Sequence, residues 1–120
     1  MAQLDYVGGL VIEANDPRRL AQWYSEKFGL LVGVELNGAI YGGFRNDTVS
    51  FHFGIMPRKR RLKSGESPGV GITFHVDDFD GYVAELTSRG LKPVGEAHDE
   101  DGHFAVYRDP EGHELTIWGD

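Results

Sequence analysis

Apolar residues along the chain form a pattern that occurs twice. The segment Gly9-Leu-Val-Ile-Glu-Ala-Asn-Asp16 aligns without a gap with Gly71-Ile-Thr-Phe-His-Val-Asp-Asp78. Each is a short apolar run that ends at an aspartate, which predicts a strand leading into a helix cap. Apolar residues at helical spacing follow each aspartate, and each predicted helix ends at a glycine, Gly29 or Gly90.

Three strand-like runs separated by turn residues follow each predicted helix. The turn signals are Asn37-Gly38, Asn46-Asp47, Asp101-Gly102 and Asp109-Pro110-Glu111-Gly112. The predicted strands cover about 31–36, 39–45 and 48–55 in the first half, and about 92–97, 103–108 and 113–118 in the second. Each half is therefore a predicted βαβββ module of an α+β fold. We expect one domain over residues 1–120, with modules at about 4–56 and 69–119.

The charge distribution separates the two modules. The chain has 12 basic and 19 acidic residues, and five of the basic ones lie between residues 58 and 63. We interpret residues 57–68 as a solvated basic linker, since no aromatic residue is interleaved with the charges. The acidic remainder repels nucleic acid and favours neutral or cationic partners.

Composition excludes several classes of site. The chain has no cysteine, so it has no disulfide, thiolate metal site or cysteine nucleophile. It also has no apolar run near the ~20 residues of a membrane span and no signal-peptide pattern. We expect a cytoplasmic protein with no membrane partner.

Two motifs add a family resemblance to the duplication. They are Phe74-His75-Val76-Asp77-Asp78 before the second helix and Asp109-Pro110-Glu111-Gly112-His113 before the last strand. With these, the whole chain resembles the vicinal oxygen chelate superfamily of glyoxalase I, extradiol dioxygenases and bleomycin-resistance proteins. The resemblance implies an open β-barrel-like cavity with the helices outside, and a homodimer in which the modules pair either within one chain or between the two chains.

The resemblance also implies where metal ligands would stand. Metal-dependent members carry a ligand on the first strand and another on the last strand of each module. The corresponding positions here are Gly9, Ser50, Gly71 and Thr116. Glycine has no ligand atom and a neutral hydroxyl replaces a carboxylate or imidazole poorly. We therefore expect no metal and no cofactor, as in bleomycin-resistance proteins.

Strand alternation selects the residues that would line the cavity. The predicted ligand-binding residues are Glu13, Ser50, His52, Thr73, His75, Thr116 and Trp118. Glu13 and His75 occupy equivalent positions in the repeat and are the candidates for acid–base catalysis. Tyr41 and Phe44 differ in parity, so only one of them can face the cavity. His113 is interpreted as a turn residue.

These residues support one leading hypothesis and two alternatives. The leading hypothesis is a binding protein, not an enzyme, that sequesters an aromatic or cationic small molecule such as an antibiotic. The first alternative is a lyase, isomerase or dioxygenase-like enzyme. It would use either a relocated metal site of Glu13, His52 and His75 or a metal-independent Glu13/His75 pair. The second alternative is a dimerising scaffold without a ligand.

Overall fold

The chain forms two compact units in the computed structural model, which describes residues 2–5, 7–44 and 51–120. The units are Met1–Arg61 and Leu62–Asp120, and their boundary falls within residues 57–68. Each contains one helix and a four-stranded sheet. This confirms the predicted α+β fold of two βαβββ modules. In chain order the elements are β1 Gly9–Ala14, α1 Pro17–Phe28, β2 Leu31–Leu36, β3 Ala39–Gly43, β4 His52–Pro57, β5 Gly71–His75, α2 Phe79–Ser88, β6 Gly95–Asp99, β7 Gly102–Arg108 and β8 Glu114–Gly119.

The two sheets have the same topology. Their strand orders are β1-β4-β3-β2 and β5-β8-β7-β6. The first strand of each module pairs in parallel with its last strand, and the other neighbours are antiparallel. The internal repeat seen in the sequence is therefore a repeat of the fold.

Aspartates begin both helices, as the sequence predicts. The Asp16 side chain accepts a hydrogen bond from the Arg19 backbone N–H at 3.2 Å, and Asp78 accepts one from Gly81 at 3.0 Å. These bonds satisfy backbone donors that have no partner within the first helical turn. Neither helix of the described residues is long and apolar enough to cross a membrane.

Each module buries its own core on the helix side of its sheet. Tyr24 of α1 packs on Phe53 of β4 with ring centroids 5.1 Å apart, and both side chains are buried. In the second module Leu86 of α2 is buried, as are Leu115 and Ile117 of β8. Alternate residues turn away from the helix, so each sheet also has a helix-free face.

Several strand boundaries differ from the predicted ones. β6 begins at Gly95 instead of residue 92, because Pro93 has no backbone N–H to donate to a ladder. β8 begins at Glu114, since the preceding His113 is held in the turn by Asp109. β4 extends to Pro57. The predicted site residue Ser50 lies outside the described residues.

Candidate ligand-binding site

Three aromatic rings lie side by side on the helix-free face of the second sheet. Trp118 of β8 pairs with His75 of β5 on one side and with Phe104 of β7 on the other. The His75 and Trp118 ring centroids are 4.7 Å apart, in an edge-to-face arrangement. The Trp118 and Phe104 rings are parallel within 6°, with centroids 6.4 Å apart. We call His75, Trp118 and Phe104 the aromatic row.

The indole at the centre of this row is held in place. Trp118 Nε1 donates a hydrogen bond of 2.9 Å to the backbone carbonyl of Asp101, in the turn between β6 and β7. Gly102 lets β7 and β8 approach closely here, because a Cβ at that position would clash with the Gly119 carbonyl oxygen and lie 3.2 Å from Nε1. The polar atom of the indole is thus satisfied, and its aromatic faces are left for packing.

Hydroxyl groups lie beside the aromatic row on the same face. Thr73 pairs with Thr116 across β5 and β8, two residues before His75 and Trp118. Thr73 is exposed and Thr116 is half-buried. An apolar surface with a few adjacent hydrogen-bonding groups is the usual make-up of a small-molecule site.

A groove of about 570 Å³ continues from His75 along the first turns of α2. Asp77, Asp78 and Glu85 line it, and Arg89 pairs with the Glu85 carboxylate at 3.2 Å, so Asp77 and Asp78 supply the negative charge of its walls. Tyr82 also lines it, and burial of this side chain raises the pKa of its phenol above the ordinary value. The Tyr82 hydroxyl therefore keeps its proton at neutral pH. The groove favours a cationic group next to the aromatic row.

The residues at the expected metal positions do not fit a metal ion. Gly9 and Gly71 have no side chain, and a Cβ at Gly9 would lie 2.6 Å from the His52 carbonyl oxygen. Thr116 offers only a hydroxyl. Within the described ranges, no group of three or more His, Asp and Glu side chains is placed to hold a metal.

Glu13 and His52, the candidates of the first module that the structure describes, do not form a cluster. Glu13 is paired with Met56 and Gly9 with His52, so Glu13 and His52 are about 13 Å apart along the strands. Both side chains are exposed. The convergence of Glu13 with His75 remains a prediction.

Tyr41 and Phe44 occupy opposite faces, as their parity predicts. Tyr41 lies over Gly54, where a Cβ would come within 2.9 Å of its ring, on the helix-free face with Val11. Phe44 instead packs on the buried Phe53, with ring centroids 5.3 Å apart. Of the two, Tyr41 shares a face with Glu13 and His52.

Phe104 belongs to the site although it was not among the residues predicted from the sequence. The same period-two alternation, applied to β7, places Ala105 and Tyr107 in the core and Phe104 on the other face. Of the predicted residues, the structure brings together Thr73, His75, Thr116 and Trp118.

Comparison with known proteins agrees with this architecture. A curated "Glyoxylase-like domain-containing protein" of Didymella fabae is 28% identical over 117 residues, covering 92% of this chain and 91% of the relative. TnmS3, an antibiotic binding protein from Streptomyces sp. CB03234, has the same fold, with a TM-score of 0.77 at 17% identity; 99% of this chain and 98% of TnmS3 are covered.

An enzyme shares the fold as well. Lactoylglutathione lyase from Agrobacterium tumefaciens matches with a TM-score of 0.74 at 16% identity, over 98% of this chain and 96% of the lyase. At these identities the likeness to both solved structures shows the fold alone. The profile of the "Glyoxalase-like domain" family matches residues 9–118, nearly the whole chain. The chain is thus a member of the glyoxalase-like domain family.

Proposed function

We propose that this protein binds and sequesters a flat aromatic small molecule, preferably a cationic one, without the participation of a metal. The observation that carries the proposal is the aromatic row on the helix-free face of the second sheet, at the end where β5 and β8 finish. Stacking of a planar ligand on an aromatic side chain contributes about 1–3 kcal/mol. His75, Trp118 and Phe104 are the residues expected to contact the ligand.

Further observations support a cationic ligand and a metal-free site. Carboxylates line the groove that begins at His75, and the chain carries a net charge of −7. The expected metal positions at Gly9, Gly71 and Thr116 offer no carboxylate or imidazole. The similar fold of the antibiotic binding protein TnmS3 agrees with a binding role.

Calorimetric titration with two related dyes tests the proposal. Proflavine is cationic at neutral pH, whereas acridine has the same ring system and is neutral at pH 7.5. We expect saturable binding of both, tighter for proflavine and unchanged by EDTA. Trp118→Ala should weaken binding about tenfold or more, because one stacking surface is lost. Trp118→Phe should lose less, and Trp23→Phe in α1 serves as the matched control.

Bleomycin is the third probe in this experiment, since it combines flat heteroaromatic rings with a cationic group. If wild-type protein bound none of the three compounds, or if Trp118→Ala bound them as tightly as wild type, the proposal would be wrong.

A binding role further predicts that expression of the protein protects cells from the compound. We also propose that the protein is cytoplasmic and forms a homodimer. Light scattering would measure the mass of this dimer.

A catalytic role is the competing proposal, favoured by the exposed imidazole of His75 beside Trp118 and the negatively charged groove. A lyase or isomerase reaction would need a proton acceptor, for which Glu13 and His75 are the candidates. The catalytic role would be established if wild-type protein converted the methylglyoxal–glutathione hemithioacetal and if Glu13→Gln and His75→Asn each lost this activity. Stoichiometric metal in protein purified without added metal would favour the metal-dependent version instead.

A further inference from the structure

The hairpin of β6 and β7 carries two histidines directly opposite each other. His98 pairs with His103, and their ring centroids are 5.4 Å apart. His103 also stacks on Phe79, the first residue of α2, with ring centroids 5.4 Å apart. The pair therefore lies on the helix side of the sheet, on the face opposite to Trp118 and Phe104. Both histidines line a groove of about 410 Å³.

The spacing of the two imidazoles suits a shared metal ion. Two histidines that ligate one tetrahedral ion at about 2.0–2.1 Å place their ring centroids about 5 Å apart. The observed separation is 5.4 Å, with the two rings inclined at 66° to each other. Among the described residues, no hydrogen bond engages a ring nitrogen of either histidine, which leaves these atoms available as ligands.

Negative charge surrounds the pair. Asp80 of α2 lines the same groove, and Glu96 lies on the same face of β6 as His98, two residues earlier. Asp99, Glu100 and Asp101 follow at the hairpin tip. Carboxylates beside the two imidazoles raise the local concentration of divalent cations and can hold metal-bound water.

We propose that His98 and His103 form a binding site for a divalent transition ion of the zinc, nickel or copper class. Imidazole is a preferred ligand of these ions. The protein supplies two ligands and water completes the coordination, with Asp80 and Glu96 as outer carboxylates. The two imidazoles lie on the other face of the sheet from His75 and Trp118, and Phe104 of the aromatic row also lines their groove. Bound metal would link the two strands of the hairpin and thereby stabilise it.

Calorimetric titration of the untagged protein with zinc chloride and with nickel chloride tests this site. We expect one ion per chain. His98→Gln and His103→Gln should each weaken binding about tenfold or more, because each removes one of two ligands. His52→Gln and His75→Gln are matched controls, since these exposed imidazoles lie outside the groove, and they should bind as wild type does. Circular dichroism of each metal-free variant verifies its fold.

A second readout locates the ion directly. Substoichiometric copper(II) should broaden the amide NMR signals of residues 96–104 before those of other residues. Absence of zinc and nickel binding up to about 1 mM would overturn the proposal. So would binding that survives in both His98→Gln and His103→Gln, or broadening centred on His75. None of these outcomes bears on dye binding at Trp118, so the two proposals fail independently.

Discussion

A buried polar pair fixes the turn between β7 and β8. The side chains of Asp109 and His113 are fully buried, and His113 Nδ1 donates to Asp109 Oδ2 at 2.7 Å. Asp109 Oδ1 accepts from the backbone N–H groups of Glu111 and His113 at 2.9 and 3.0 Å. One carboxylate thus satisfies three donors in the segment that positions β8 and Trp118.

Replacement of this carboxylate should destabilise the protein strongly. Asp109→Ala leaves three donors without an acceptor, and we expect a loss of about 3 kcal/mol in the free energy of unfolding. Asp109→Asn keeps an oxygen for the two backbone N–H groups, so its loss should be smaller. Urea denaturation measures both, with the exposed Asp101→Ala as a control. Equal stability of Asp109→Ala and Asp101→Ala would contradict the role of the pair.

Tyr107 introduces a dependence of stability on alkaline pH. Its side chain is 1% exposed, and its hydroxyl has no hydrogen-bond partner among the described residues. Burial, and secondly the charge of Glu96, raise the pKa of Tyr107 above its ordinary value. The unfolded chain therefore loses this proton first, so stability present below pH ~10 is lost as the pH rises through the raised pKa.

Tyr107→Phe should remove part of this dependence. The variant lacks the unpaired buried hydroxyl, so we expect equal stability or a gain of up to about 1 kcal/mol at pH 7. Its unfolding free energy should also fall less than that of wild type between about pH 8 and pH 10.5. Urea denaturation at both pH values checks this. The same decrease in both proteins would show that Tyr107 does not contribute.

At the scale of elements, the end of α1 depends on a left-handed residue. Gly29 has φ 75° and ψ 25°, and its N–H bonds to the carbonyl oxygen of Ser25 at 3.2 Å. A Cβ at Gly29 would meet no atom within 4 Å, so any cost of a side chain there is conformational. We expect Gly29→Ala to lower the free energy of unfolding by about 1 kcal/mol.

Gly95 offers a matched comparison in β6. A Cβ there would also meet nothing within 4 Å, but Gly95 is not among the positive-φ glycines. Gly95→Ala should therefore leave stability unchanged or raise it slightly, because alanine reduces the entropy of the unfolded chain. The melting temperatures of the two variants distinguish the cost of a left-handed backbone from the effect of adding a methyl group in open space. Equal melting temperatures would contradict the explanation.

The elements were largely predictable from the sequence because their signals are local. Apolar alternation, the capping aspartates Asp16 and Asp78, and the Asn37-Gly38 turn act within a few residues. The start of β8 was placed one residue early, because the apolar pattern does not show that a hydrogen bond from His113 to Asp109 holds that residue in the turn. Phe104 was missed since its importance lies in its cross-strand neighbour Trp118, and pairing register is not visible in a single strand.

At the scale of the whole molecule, net charge should influence which ligands bind. The chain carries −7, and Asp77, Asp78 and Glu85 line the groove beside the aromatic row. Salt screens such attraction, with a Debye length of about 10 Å at 0.1 M and about 3 Å at 1 M. Raising sodium chloride from about 0.05 to 0.5 M should weaken proflavine binding about threefold or more.

Acridine provides the control for this effect, because it is neutral and should bind with little dependence on salt. Fluorescence titration of both dyes at each salt concentration gives the comparison. If proflavine and acridine responded equally to salt, the carboxylates would not contribute to selectivity. Stacking on Trp118 would then account for binding alone.

A crystal structure of the protein with proflavine, grown in the presence of EDTA, tests the central claim most directly. The claim is that the helix-free face of the second sheet binds a flat aromatic molecule without a metal. We predict planar density in contact with the Trp118 ring and close to His75 and Phe104, with the cationic groups toward Asp77 in the groove along α2. Density for proflavine at another surface, with the Trp118 ring uncovered, would contradict the claim.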